Sequence, residues 1–345
     1  MNSIKVLQVI DILNPGGAER VFVDVCNILQ NNSIDVSALF LLEGGILKPE
    51  LNPEICTFEL NRESKWSLRS MQKCSKIISR FSVIHCHFRH VYRYIVLVSK
   101  LFSVKSKIIL HDHFGAIEID KRVPFLFQSI FKPKYYIGVS DSLTNWATNN
   151  LRIPAKNVFV LQNIIIKKEY NNDAEIKADL ILVSNIKPIK NNIFAIKVAN
   201  AISEKLLLIG KNQNNSYFEE LEEESSKSNV TILNNINNPQ QYMKNAKLGL
   251  HTSISESGPL VLIEYLAQGL PFLAYETGEV AKILKPHFPE YFIDNFEVEN
   301  WVEKIKFIKE TKIDSQKMNS VFNQNFGIEA YFNKLQLIYI CITKN

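Results

Sequence analysis

Short runs rich in Val, Ile and Leu recur along the chain, each followed by a longer stretch of mixed polarity. A first series of candidate strands covers residues 4–10, 36–42, 82–86, 107–110, 135–139 and 158–161. A second covers 179–184, 205–210, 230–233, 247–251 and 271–275. These runs are apolar throughout rather than alternating, as expected of strands covered on both faces. The helix-length segments between them fit the crossovers of parallel sheets. Two successive series predict two α/β domains, residues 1–166 and 167–327, with the boundary in the polar stretch near 165–178. A helix around 328–342 is expected to cross back to the first domain, which would then also hold residues 328–345. Residues 65–80 read as a helix whose charges are all positive, and the Asn- and Ser-rich segments 211–229 and 234–240 as loop or helix surface.

Composition adds limits. With 345 residues, 46% hydrophobic and 22% charged, the chain can bury a substantial core, which excludes disorder as its main state. No apolar run approaches the roughly 18–20 residues that span a bilayer; residues 93–104 come nearest, and Lys100 interrupts them. MNSIKVLQVI reads as a first strand rather than a secretory signal. The five cysteines form no C-x-x-C pair, so neither a zinc site nor a disulfide framework is indicated, and a reducing cytoplasm is expected. The net charge of +5 is uneven: residues 1–166 carry 20 Lys and Arg against 13 Asp and Glu, the remainder 20 against 22. A basic first half suggests an anionic partner, and the basic 65–80 helix could lie on anionic lipid. No nucleic-acid motif accompanies it.

With only 12 glycines, their positions matter. Gly16 and Gly17 follow the first strand and open a helix, which leaves backbone N–H groups free to meet an anion. The pair is not G-x-G-x-x-G, which speaks against a nicotinamide dehydrogenase. Gly210 and Gly278 follow strands, where close backbone approach to a ligand is one reading and plain turn chemistry another. Five of the seven histidines cluster: His85, His87, His90, His111 and His113. Each His-x-His pair puts both rings on one face of a strand. A metal site, hydrogen bonding to a polar ligand, and structural capping for His85 and His111 are all open; His113 is the one expected to face a ligand.

In the second half, Lys190 follows the 179–184 strand, with Pro188 before it and Asn191 or Asn192 as a cap for the next helix. That places a cation where a phosphate could meet it, though a solvated surface lysine is the default until the next motif is read. Glu256-Ser257-Gly258-Pro259-Leu260-Val261 then leads into a helix containing Glu264 and ending at Gly269. Pro259 suits a first helical position and Gly269 a C-terminal stop. Free amides near Leu260 and Val261, with an acid before and an acid within the helix, could bind a polyhydroxylated diphosphate.

These residues resemble glycosyltransferase family 4, retaining enzymes of bacterial surface-polysaccharide type with the GT-B fold. The likeness rests on Gly-Gly-Ala-Glu-Arg at 16–20, Val-Ile-His-Cys-His at 83–87, Gly-Val-Ser-Asp-Ser-Leu at 138–143, the Lys190 segment and the spaced acids with Gly269-Leu270-Pro271. It implies two Rossmann-like domains facing a central cleft, the first for the acceptor and the second for a nucleotide sugar. It implies catalytic roles for Glu256, His113 and Lys190. Gly16, Gly17, Asn185, Lys187, Lys190, Gly258, Leu260, Val261 and Glu264 would bind donor, with Gly17 and Lys190 at the diphosphate, Glu256 and His113 at the sugar and Glu264 at the ribose. Asn185 stands where the family often has arginine, so Lys187 could assist Lys190. Ser257-Gly258-Pro259 replaces a commoner Gly-Phe-Gly or Gly-Phe-Pro, and Ile164 and Ile166 replace the glycine and aspartate of an Asn-Gly-Ile-Asp segment.

By the same likeness a UDP-sugar donor, a saccharide or lipid-linked acceptor and transfer with retention are expected, with no nucleic-acid partner and a cytoplasmic, peripheral-membrane location. No Asp-x-Asp is present, so neither a metal nor another cofactor is expected. The rivals are a nucleotide-sugar 2-epimerase of the same fold, a metal-dependent hydrolase built on the His-x-His pairs, and a non-catalytic sugar-nucleotide binder. The hydrolase leaves the spaced acids unexplained.

Overall fold

The structure is a computed structural model that describes residues 4–344 except 116, 118, 119, 170–175, 227, 237 and 257. The chain divides into two compact units, Met1–Ile164 with Ile328–Asn345, and Ile165–Gly327. Part of the polar 165–178 stretch, and Ser257, lie outside the described residues.

The first unit carries seven strands: β1 (Lys5–Ile10), β2 (Asp35–Phe40), β3 (Cys56–Glu59), β4 (Val83–His87), β5 (Lys107–Asp112), β6 (Tyr135–Gly138) and β7 (Val158–Val160). They form one parallel sheet in the order β3-β2-β1-β4-β5-β6-β7. Its helices are α1 (Gly17–Asn31), α2 (Leu68–Ile78), α3 (Arg89–Leu101) and α4 (Asp141–Asn149). The central strands β1 and β4 are almost wholly buried, as expected of strands covered on both faces, with the polar Gln8, His85 and His87 buried among their apolar residues. The basic helix is shorter than its charge pattern suggests. Ser67 caps α2 by accepting from the Ser70 N–H at 3.3 Å, so Lys65 and Trp66 fall outside it.

The second unit has β8 (Ala178–Val183), β9 (Leu206–Gly210), β10 (Val230–Asn234), β11 (Ala246–His251), β12 (Phe272–Tyr275) and β13 (Phe292–Ile293). All are parallel, in the order β10-β9-β8-β11-β12-β13. Its helices are α5 (Asn192–Ala201), α6 (Asn215–Ser226), α7 (Gln240–Met243), α8 (Leu260–Gln268), α9 (Gly278–Leu284), α10 (Val298–Glu310) and α11 (Ser315–Phe326). The last helix, α12 (Ile328–Lys344), belongs to the first unit. It buries Tyr331, Leu335, Ile338, Tyr339 and Ile342, one helical face, and packs beside α1.

In each unit the strand order reverses once: between β1 and β4 in the first, between β8 and β11 in the second. Crossovers leave to opposite sides at such a point, which opens a crevice at the carboxyl ends of the two strands where ligands of doubly wound sheets bind. Two strands are absent from the sequence reading. β3 is a half-exposed edge strand and β13 is two residues long, so neither shows a continuous apolar run.

Candidate functional site

The second unit gathers its candidate residues at the β8–β11 switch point. After β8 the chain makes a tight turn at Pro188–Lys190 and reaches Asn191 with φ 51°, left-handed backbone, before α5 begins. Asn191 takes the N-cap position of α5, as expected, but with its backbone alone. Asn191 makes no side-chain capping bond, and Asn192 is fully buried with its amide donating to Ser184 Oγ at 2.8 Å. The turn is held from the other strand: Thr252 Oγ1 donates to the Lys190 carbonyl at 3.0 Å, and the Ile254 N–H to the Ile189 carbonyl at 2.9 Å. Lys190 is thereby carried to Glu256, and its ammonium donates to Glu256 Oε1. Both side chains are about five-sixths buried, 15% and 16% exposed, so Lys190 is no solvated surface lysine.

Burial alone would raise the Glu256 carboxyl. His251, whose Nε2 lies 3.6 Å away, and the Lys190 ammonium overcome it and hold the group at about 2. His251 is itself buried, and neither ring nitrogen has a hydrogen-bond partner within 3.5 Å among the described residues. Lys187 stands half-buried on the same turn; burial and the Lys190 charge pull its ammonium down, partly offset by Glu256. Asn185 is half-buried just before it.

Glu256 is followed by Gly258 and by Pro259, which is the N-cap of α8 rather than its first residue. Proline offers no capping side chain, and the first turn from Leu260 contains no acid, so the opening amides stay available to an anion. Leu260 is half-buried and Val261 buried. Glu264 is 7% exposed, which removes the alternative of a solvent-facing helix glutamate. The helix is fixed by Tyr265. Its fully buried hydroxyl donates toward the carbonyls of Ile181 and Leu250, each at 3.1 Å, and accepts from the Val183 N–H at 3.3 Å. Gly249 leaves room for that ring, since a Cβ there would lie 2.6 Å from it.

Two glycines have different reasons from those first considered. A Cβ on Gly210 would stand 1.9 Å from the Ser184 carbonyl oxygen, so the close approach is between neighbouring strand ends, not to a ligand. Gly278, at φ +80°, sits against the Glu256 carbonyl and Pro259 and supports the loop that presents Glu256. Thr277 Oγ1 accepts from the Glu256 N–H at 3.2 Å.

In the first unit, Gly16 is the extended N-cap of α1 and Gly17 its first residue. A Cβ on Gly16 would meet the Glu19 carboxylate at 2.3 Å, so this helix start already faces an acid of its own chain, which an incoming anion would have to displace. At the β1–β4 switch point four histidines come together. His85 and His87 stack with ring centroids 4.8 Å apart, and the His111 and His113 rings lie 4.2 Å apart, so each His-x-His pair does share a strand face. His85 Nε2 meets His111 Nδ1 at 3.0 Å, and His87 Nδ1 meets His113 Nε2 at 3.2 Å. His85, His87 and His111 are fully buried and His113 is partly buried. His90 does not join them; its Nε2 pairs with Asp11 at 3.1 Å, beside Arg62. Burial lowers all four clustered rings, His85 and His113 to about 3, which leaves them neutral at pH 7. One nitrogen from each of His85, His87 and His111 lies within 4.8 Å of the others, a donor set suited to a divalent transition metal. Both nitrogens of His85 and of His87 are already engaged, with His111, His113, Gln8 and Tyr339, and an ion would have to break that network; His111 Nε2 is buried with no partner among the described residues.

Sequence reasoning missed His251, Thr252, Thr277, Gln8 and Tyr339. A histidine closing β11 five residues before Glu256 was a usable signal; the pairing of Gln8 with Tyr339 had none.

Two parallel, doubly wound α/β units, with a lysine–glutamate pair and open helix amides at one switch point, define the class as a GT-B-type glycosyltransferase. Residues 15–166 match the family described as Glycosyltransferase Family 4, and residues 164–325 match Glycosyl transferases group 1; the chain is a glycosyltransferase built from these two domains. Among solved structures it is similar to Anabaena Alr3699/HepE in complex with UDP and glucose, at 17% identity and TM-score 0.77, over 96% of this chain and 98% of that one. A glycosyltransferase from Rickettsia africae ESF-5 is similar at 16% identity and TM-score 0.78, over the whole of both chains. The lipopolysaccharide outer core galactosyltransferase WaaB matches at 16% identity and TM-score 0.68, over 98% of this chain and 99% of that one. No curated protein matches the chain by sequence.

Proposed function

We propose that the protein transfers a sugar, with retention of anomeric configuration, from a UDP-sugar to a saccharide or lipid-linked saccharide in cell-surface polysaccharide synthesis. The observation that carries the donor assignment is the buried Lys190–Glu256 pair beside the uncapped start of α8, with Glu264 buried one turn further on. Lys190 and the Leu260 and Val261 amides take the diphosphate and stabilise its growing charge as the bond to the sugar breaks. Asn185 and Lys187 line the same turn. Glu256, freed from Lys190, holds the transferred sugar, and Glu264 the ribose. On the first unit, Gly16 and Gly17 approach the diphosphate and His113 meets a sugar hydroxyl. The departing phosphate oxygen accepts the acceptor proton, so no side chain need act as base. The UDP complex of Alr3699/HepE and the WaaB galactosyltransferase support a UDP-linked donor and a surface-glycan acceptor by analogy of fold.

Catalysis is proposed to need neither metal nor cofactor, so activity should survive chelation; zinc-restorable activity would favour the hydrolase. The place of work is proposed to be the cytoplasmic face of a membrane. No helix of the described residues is long and apolar enough to cross one. Trp66, Leu68 and Phe125 are 77%, 72% and 79% exposed on the first unit, with Lys65, Arg69, Lys73 and Arg122 exposed near them in sequence. Equal sedimentation with anionic and neutral vesicles at low salt would exclude the lipid surface.

The deciding experiment incubates the protein with a panel of nucleotide sugars, with and without saccharide acceptors. Acceptor-dependent release of UDP with an α-linked product from an α-linked donor supports the reading. A 2-epimer formed without acceptor would replace it.

A further inference from the structure

The four clustered histidines end in two residues from the far ends of the chain. Gln8 Nε2 donates to the Tyr339 hydroxyl at 2.8 Å across 331 positions of sequence. The same hydroxyl meets His85 Nδ1 at 2.8 Å, and Gln8 Oε1 meets His87 Nε2 at 3.0 Å. Gln8, His85, His87 and His111 are fully buried and Tyr339 is 2% exposed, so water cannot substitute for these partners.

A neutral imidazole has one donor and one acceptor nitrogen, so each bond in such a chain dictates the next. Tyr339 accepts from the Gln8 amide and therefore gives its own proton to His85 Nδ1. His85 then carries its proton on Nε2 and donates to His111 Nδ1, which puts the His111 proton on Nε2, a buried nitrogen with no partner among the described residues. On the other branch, Gln8 Oε1 accepts from His87, which must be protonated on Nε2 and so accepts at Nδ1 from His113 Nε2. His113 is left with a lone pair on Nδ1, on the least buried ring of the four, with no partner among the described residues. Both branches start from the one amide. If the amide turned over, every ring would switch and His113 would present an N–H instead. The orientation of the Gln8 amide, Nε2 toward Tyr339 and Oε1 toward His87, therefore selects the face that His113 shows.

We propose that Gln8 and Tyr339 are positioning residues that hold His113 in its Nε2–H form and make Nδ1 a fixed hydrogen-bond acceptor for a sugar hydroxyl. The sugar part of this rests on the proposed role of His113; the tautomer part does not. Burial keeps the rings neutral, so the acceptor is present across the ordinary pH range. The fold supplies a reason for α12 to return to the first unit: it delivers the Tyr339 hydroxyl to the β1–β4 switch point.

The test is long-range 1H–15N spectroscopy of the full chain labelled at histidine, without ligand, near pH 7. A bare ring nitrogen resonates far from a protonated one, and His113→Gln identifies the His113 signals by their loss. The expected result is a single form with His85, His87 and His113 all protonated on Nε2. In Tyr339→Phe, which keeps the ring volume, the amide of Gln8 loses its preference and the His113 nitrogens move toward the averaged positions of mixed tautomers. Gln8→Leu should do the same by removing the shared amide. An Nδ1–H form of His113 in the wild type, or an unchanged single Nε2–H form in both variants, would overturn the proposal. Kinetics then address the sugar contact separately. Loss of one oriented hydrogen bond should lower kcat of Tyr339→Phe about 3- to 10-fold with donor KM within about twofold. Spectra that change as described with kcat unchanged would leave the tautomer network standing and remove His113 from the sugar.

Discussion

Lys190 has two jobs that can be measured apart. It neutralises a largely buried Glu256, and by our assignment it meets charge that grows on the departing diphosphate. Holding the Glu256 carboxyl at about 2 rather than at its ordinary 4.5 corresponds to about 3 kcal/mol, shared between Lys190 and His251 and opposed by burial. In Lys190→Ala the carboxylate stays five-sixths buried with His251 as its remaining polar neighbour. Breaking a buried pair costs about 3–5 kcal/mol, and the residual exposure reduces this to about 2–3 kcal/mol here. For a unit of this size that is a fall in Tm of about 5–10 °C. A second substitution, Glu256→Gln, removes the stranded charge and should restore most of the loss. Turnover should behave differently. Loss of one group that stabilises transition-state charge lowers kcat about 100- to 1,000-fold, and relieving the buried charge does not replace it. The assay is donor-varied release of UDP, read beside melting temperature, on wild type, Lys190→Ala, Glu256→Gln and the double variant. A Lys190→Ala enzyme within threefold of wild-type kcat would refute the reasoning. So would a double variant whose turnover recovers with its stability, because Lys190 would then serve only Glu256.

Glu264→Gln should raise the donor KM more than it lowers kcat, because a ribose contact changes little during reaction; a fall in kcat at constant KM would contradict that role. Gly210→Ala should destabilise the second unit by about 1–3 kcal/mol in urea, since its Cβ would fall 1.9 Å from the Ser184 oxygen; an unchanged midpoint would contradict it. The lowered Glu256 carboxyl gives stability that is fully present above about pH 4.5 and lost as pH falls toward 2. The difference in Tm between wild type and Glu256→Gln should therefore narrow or reverse over that window, and a constant difference would count against the pairing.

The fold was legible because parallel strands covered on both faces write continuous apolar runs, and eleven strands showed them. β3 and β13 did not, one being an exposed edge and the other two residues long. Glu256, Gly258 and Glu264 were legible because a short loop and one helix put them in register, and spacing along a helix is readable in sequence. Lys190 was legible only in company with them; alone it reads as a surface lysine. The bonds that hold it, from Thr252 and Ile254, span a crossover and leave no periodic trace. Asn191 does stand at the N-cap, but supplies left-handed backbone rather than a side-chain bond, and Asn192 makes a buried bond to Ser184 instead. The histidine pairs announced a shared face through their two-residue spacing. What completes them, Gln8 and Tyr339, comes from opposite ends of the chain, and each looks like an ordinary strand or helix residue until the fold joins them.

The central claim is that the β8–β11 switch point is the seat of a nucleotide-sugar diphosphate. A crystal structure of the full chain with UDP tests it most directly. The account predicts the diphosphate on Lys190 and the Leu260 and Val261 amides, the ribose hydroxyls at Glu264, and the Lys190–Glu256 pair opened. UDP bound elsewhere, with that pair intact, would contradict it.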